Sequence, residues 1–186
     1  VIRMNRDTLY SFAIVDATDG ATVTLPDAGD RYLSLMVIDE DHYVTETFHE
    51  PGEHSIDPPT SDSPFIGLVA RTLVDPADRA DVDAVNALQD HLGLDVDGSS
   101  AFEHPDYDTE SLDVTRRALL QLAGGIEGFD RTFGRRDEVD AAQNLLVGPR
   151  RIGKLHLLHA RLDLELDVAH GAGRVAARVD WRVAAQ

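Results

Sequence analysis

Within the first 74 residues, six short segments carry strand-like residues, and turn-forming residues separate each from the next. Short segments at that spacing, with turn residues between them, predict an antiparallel meander or sandwich. Residues 10–16 alternate, with Tyr10, Phe12 and Ile14 on one side and Ser11, Ala13 and Val15 on the other. Residues 21–25 (ATVTL) are rich in β-branched side chains, and residues 31–39 (RYLSLMVID) are nearly apolar on both faces, as a central strand requires. Residues 42–48, 52–56 and 65–74 complete the set. Between the second and third segments, Pro26-Asp27-Ala28-Gly29-Asp30 supplies a fixed φ and a glycine for a turn.

The pattern changes at Asp75-Pro76. Asp75 suits an N-cap and Pro76 the first helical position, with Asp78 in the first turn. Val82, Val85, Leu88 and Leu92 then share a helical face, and Gly93 is placed to end the helix. Residues 95–107 read as a polar loop. A second helix begins at Asp108 or Thr109, carries the stripe Leu112, Thr115, Leu119 and Leu122, and stops at Gly124-Gly125. Residues 137–146 predict a third helix with Val139, Ala142 and Leu145 inward. From about Val147 the chain alternates again. Leu162, Leu164, Leu166 and Val168 interleave with acids, and Val175, Ala177, Val179 and Trp181 interleave with Arg174, Arg178 and Asp180. One hairpin register sets these acids opposite these arginines. The fold class expected is therefore α+β: an antiparallel β-sheet or sandwich, a helical segment packed on one side, and a C-terminal β-hairpin. The domain reading is a β-rich domain with a helical second half over 1–146 and an alternating tail over 147–186. That tail reads either as a genuine hairpin or as an out-of-frame remnant.

Charge narrows the function classes. The 186 residues hold 34 acids against 17 Lys plus Arg, a formal charge of −17. Lys154 is the single lysine. The acids are spread along the whole chain, so they decorate a folded surface rather than a disordered tail. A surface this negative repels phosphate backbones and anionic lipid, so the expected partners exclude nucleic acid and membrane. It suits a protein working in high salt, where screening quenches self-repulsion. The composition also fits an acidic protein from a GC-rich genome. With no cysteine, disulfides, thiolate zinc sites and thiol nucleophiles are excluded. No apolar run approaches membrane-spanning length and no secretory pattern opens the chain, which makes cytoplasmic the default.

Several motifs together carry a family resemblance. Asn-Arg-Asp-Thr-Leu-Tyr-Ser at 5–11 sets four polar residue types in fixed order. Val-Thr-Leu-Pro-Asp-Ala-Gly-Asp-Arg-Tyr at 23–32, Val-Ile-Asp-Glu-Asp-His-Tyr at 37–43, Arg-Thr-Leu-Val-Asp-Pro-Ala-Asp at 71–78 and Phe-Gly-Arg-Arg-Asp-Glu-Val-Asp at 133–140 follow. Over residues 2–146 the chain resembles the family catalogued as domain of unknown function 1254. Members of that family usually continue into a second β-rich domain, whose place the alternating tail takes here. The resemblance implies a fold class and no reaction.

The candidate ligand-binding residues are Asn5, Arg6, Asp7, Tyr10, Arg31, Asp39, His42 and Arg71. An Arg-Asp pair can orient a carboxylate, and a tyrosine can donate a hydrogen bond to a ligand. The same residues can also brace backbone before a strand. Asp39-Glu40-Asp41-His42 is oxygen-rich but lacks the glycine and spacing of a calcium loop. His49-Glu50-Pro51-Gly52-Glu53-His54 has its second histidine one place too far for a zinc-protease helix, and Pro-Gly breaks any helix there. His156 and His159 read as ordinary polar positions. No metal site and no cofactor is expected. The chain reads as a small-molecule-binding or assembly module, with a homo-oligomer or partner protein in the assembly case. The alternatives are a hydrolase-type enzyme built on Arg6, Asp7, Tyr10, Asp39 and His42, which requires those five to converge in one pocket, and a truncated fragment of a longer protein.

Overall fold

The computed structural model describes residues 5–146, apart from Ser99, Ala101, His104, Pro105, Tyr107, Glu127 and Phe129. The predicted C-terminal hairpin, with His156 and His159, lies outside the described residues. Two compact units divide the chain; the described part of the first is 5–40 and 46–102, and of the second 41–45 and 103–146.

The six predicted strands are present: β1 (Thr8–Asp16), β2 (Ala21–Leu25), β3 (Leu33–Asp39), β4 (Val44–Phe48), β5 (Gly52–Ile56) and β6 (Phe65–Leu73). A short seventh, β7 (Gly93–Asp95), follows helix α1 (Arg79–Gln89). They form two sheets, a four-stranded one in the order β1-β6-β3-β4 and a three-stranded one in the order β5-β2-β7. Each assigned pairing is antiparallel. The architecture is thus α+β and dominated by strands.

Alternation decides which side of each strand meets the core. Val15 of β1, Leu33, Leu35 and Val37 of β3, and Ile66, Leu68 and Ala70 of β6 are buried on one face of the larger sheet. Val23 and Leu25 of β2 and Ile56 of β5 meet them from the smaller sheet, in a single cluster. The register agrees: Val37 pairs with Leu68 and Leu35 with Ala70. Helix α1 adds Leu88 to the rim of this core and buries Val85 completely, on the face its periodicity predicts.

Three local expectations need correction. The N-cap of α1 is Asp78, whose carboxylate accepts from the Ala80 amide at 2.9 Å, not Asp75. Residues 75–78 instead form a turn, closed by Asp78 N–H donating to the Asp75 carbonyl. Gly93 does not end α1. The helix ends at Asp90, and Gly93 opens β7 opposite Thr24, whose Cβ lies 2.8 Å from where a Gly93 Cβ would be.

In the second unit, Asp108 caps helix α2 (Thr109–Ala123), accepting from the Ser111 amide at 2.6 Å, and Gly124 follows its last turn. The buried side is not the predicted stripe. Leu112 and Leu122 are 42% and 63% exposed, whereas Arg116, Leu119, Leu120 and Ala123 are withdrawn from solvent. A short helix α3 covers residues 141–146, with the Asp140 carboxylate accepting from the Ala142 and Gln143 amides. There Val139 is buried as expected, but Ala142 and Leu145 are exposed and Asn144 takes the inward place.

Candidate functional site

Strand pairing sorts the sequence candidates into groups. The cross-strand register sets Tyr10 of β1 opposite Arg71 of β6, and Arg71 opposite Ser34 of β3. Directly opposed residues share a sheet face, so these three form one polar row across three strands. It lies on the side away from the shared core, because the neighbouring Ser11, Leu35 and Ala70 belong to the inner face. The next row on the outer face is Phe12, Val69 and Met36, and the one after it Ile14, Gly67 and Ile38. The Tyr10 and Phe12 rings stack at 5.8 Å with 7° between their planes. The Arg71 guanidinium sits 5.6 Å from the centre of the Tyr10 ring, within cation–π range.

Arg71 is half-buried, and its Nε is fully withdrawn from solvent with no hydrogen-bond partner. No ion pair to Arg71 is formed among the described residues. Arg31, Arg79, Arg135 and Arg136 each face a carboxylate. An arginine left partly desolvated without an anion is costly; Arg116 of α2, half-buried with its Nε likewise withdrawn and without a hydrogen-bond partner, is in the same position.

Arg31, the second arginine among the candidates, is already engaged. Its guanidinium grips the Asp81 carboxylate of α1 with both terminal nitrogens and donates to the Leu73 carbonyl at 2.6 Å. The Asp75 amide also donates to Asp81, at 2.7 Å. These contacts, Arg31 first, hold the Asp81 carboxyl at about 2 and raise the Arg31 pKa. The latch fixes the β2–β3 turn to the connection from β6 into α1. Asp7 lines the same open depression, with Asp75 and Asp78. Asn5, Arg6 and Asp7 are exposed. The Asp7 carboxylate accepts from the Thr8 hydroxyl at 3.2 Å, and its carbonyl from the Val74 amide at 2.9 Å, so the start of the motif pins β1 to the end of β6.

The five residues of the hydrolase reading are not brought together. Thr8, next to Asp7, pairs with Leu73, whereas Asp39 pairs with Ile66. Seven residues of β6 separate those positions, roughly 23 Å of strand. Asp39 is buried at that far end. His42 belongs to the second unit. It is buried, has a φ of 70°, and packs against Phe133 at 5.1 Å. Beside it Arg136 donates to Asp41 at 3.0 Å and lies 4.1 Å over the Tyr43 ring, and the Val44 amide donates to the Gly134 carbonyl. Within the second unit, residues 41–44 and 133–136 thus meet as a clamp. His49 and His54 sit about the β4–β5 turn, His49 against Tyr32 and His54 stacked on Phe48. Among the described residues no group of three or more His, Asp or Glu is placed to share a metal ion.

The sequence reading missed one polar centre. Asp16 is buried and accepts from the Thr18 hydroxyl at 2.6 Å, the Thr18 amide at 3.1 Å and the Ser100 amide at 3.1 Å. Hydrogen bonds from Thr18 and Ser100 hold its carboxyl at about 2. Gly98 is required beside it, since a Cβ there would lie 2.1 Å from the Asp16 carbonyl oxygen. Asp16-Ala17-Thr18 carries the local turn signal, but nothing in the sequence points to residues 98–100 as its partner.

The comparisons with known proteins bear on the fold. The model of the family described as "Protein of unknown function (DUF1254)" matches residues 1–60, which hold the motifs at 5–11, 23–32 and 37–43. The resemblance read from those motifs therefore stands over that span. The structure is similar to the crystal structure of the VPA0106 protein from Vibrio parahaemolyticus, with a TM-score of 0.58 and 16% identity, over 81% of this chain and 57% of that one. This likeness shows a shared fold, and the chain spans little more than half the length of that neighbour. No curated protein matches the chain.

Proposed function

We propose that the protein is a small-molecule-binding module whose site is the outer face of the four-stranded sheet, the ledge headed by Tyr10, Arg71 and Ser34. The observation that carries this reading is the half-buried Arg71, stacked over Tyr10 and lacking a carboxylate partner, at the head of two apolar rows. The scale of the face fits a small ligand better than a protein. Three strands span about 10 Å. Ser34, Ile38 and Val69 already retain less than a tenth of their exposure, so the part of the face open to a ligand is the half-buried edge at Tyr10, Phe12, Met36 and Arg71.

A fragment screen read by side-chain NMR tests this. Ligands are expected to move the Met36 and Val69 methyl resonances together with the Tyr10 and Phe12 ring signals. Binders that move none of these four residues would refute the site.

A second observation favours the assembly reading alongside. Leu112, Thr115 and Leu122 lie along one side of α2 and are exposed. Two leucines left on the surface of one helix are where a contact would be looked for first. Self-association through α2 would appear as a dimer mass in light scattering that Leu122→Glu abolishes; an unchanged mass in the variant would remove α2 from the contact.

A further inference from the structure

We infer that the basic C-terminal segment 174–183, outside the described residues, docks as a further strand on the open edge of β1. The inference is independent of the ledge. The edge comes first. Strand order places β1 at one end of the larger sheet, so one side of its backbone bonds to β6 and the other faces no strand of the described residues. An edge of this kind is a template for another strand, unless charge or short length keeps it in water. The other edge strands have those guards: β4 holds Glu46, β5 holds Glu53, and β7 has three residues ending in Asp95. Residues 8–15 of β1 are all uncharged, with no proline or glycine among them.

The core is also open on that side. Leu35 and Val37 of β3 and Leu68 and Ala70 of β6 are buried on the inner face, whereas Leu9, Ser11 and Ala13 of β1, on the same face, stay half-buried. A strand beyond β1 with one apolar side would close this margin. Residues 174–183 have that pattern, with Val175, Ala177, Val179, Trp181 and Val183 on one side and Arg174, Arg178 and Arg182 on the other. Charge selects this segment over the other alternating run. Residues 1–146 carry 30 acids against 10 arginines, whereas residues 174–183 carry three arginines and one acid. Residues 162–168 hold three acids and no base, so the field that draws in the arginines repels them. The chain between Leu146 and Arg174 can span up to about 90 Å when extended, so its length does not limit where the segment docks.

Trp181, the single tryptophan, reports the docking in the full chain. Its indole protons are expected to give nuclear Overhauser contacts to Leu9, Ala13 or Val15, within one molecule. In Val179→Asp those contacts should vanish. The β1 amides that do not pair with β6 should then exchange with solvent at least about tenfold faster, as an edge that loses its cover does, while the β3 amides keep their rates. A sample mixed from labelled and unlabelled chains separates the sources. Contacts that cross between two copies along β1 would assign the edge to a second copy and overturn the inference. So would Trp181 contacts to β4, β5 or α2 in place of β1, or β1 amides that exchange alike in the natural chain and in Val179→Asp. Should Val179→Asp not fold, the natural chain decides the matter: a Trp181 ring without contacts to β1 refutes the docking.

Discussion

Asp16 and Asp81 are the two carboxylates whose environment most changes their acidity, and each joins segments far apart in sequence. Both carboxyls sit at about 2 in the folded chain against an ordinary value of 3.8. A carboxyl depressed by folding contributes stability that is complete above its unfolded value and disappears as pH falls through its folded value. Acid unfolding should therefore steepen between about pH 4 and pH 2. Urea midpoints measured across that window should fall less steeply with acid in Asp16→Asn and in Asp81→Asn than in the natural chain; parallel curves would mean that neither carboxylate is held as described. Gly98→Ala forces a methyl against the Asp16 backbone and should cost about 1–3 kcal/mol in urea denaturation. The Asp16 centre was not legible in advance because, beyond the local Thr18, its third donor is the Ser100 amide 84 positions away. Arg31 was legible as a site candidate but not as a residue already engaged, for the same reason: Asp81 reaches it only after the chain has folded.

At the level of elements, the strands were open to reading and the helix faces less so. β2 and β5 begin and end at the expected residues: Gly20 and Pro26 bound the β-branched run of β2, and β5 lies between the Pro51-Gly52 turn signal and Asp57-Pro58. β7 escaped notice because three residues carry no periodicity. On α2 the spacing Leu112-Thr115-Leu119-Leu122 and the spacing Arg116-Leu119-Leu120-Ala123 both satisfy helical period. The second is the buried one, and it includes an arginine whose aliphatic stem can cover apolar surface. This difference has a measurable consequence. Leu25→Ala, in the shared core, should cost about 2–5 kcal/mol. Leu122→Glu, on the exposed side of α2, should change stability by less than about 0.5 kcal/mol. Comparable losses in the two variants would mean that α2 buries the face its leucines suggest.

For the whole molecule, the formal charge of −17 is the property that a salt series tests. Screening contracts from about 10 Å at 0.1 M salt to about 3 Å at 1 M, so self-repulsion should fade over that range. Thermal unfolding is expected to move upward by at least about 2–4 °C, the shift that one kcal/mol produces in a domain of this size. A midpoint that stays fixed or falls would show that the acids do not strain the fold. Within this anionic body the ledge keeps one half-buried arginine without a counter-charge, and the binding account depends on that residue. Its two neighbours, Tyr10 and Ser34, lie 61 and 37 positions away in sequence, so only the strand register could assemble the row. The most direct measurement is a set of intermolecular nuclear Overhauser contacts from the fragments that the side-chain screen returns. The account predicts contacts from those fragments to Tyr10, Phe12 and Met36, beside Arg71. Contacts confined to α2 or to the inner face of the sheet, with none to Tyr10, would contradict it.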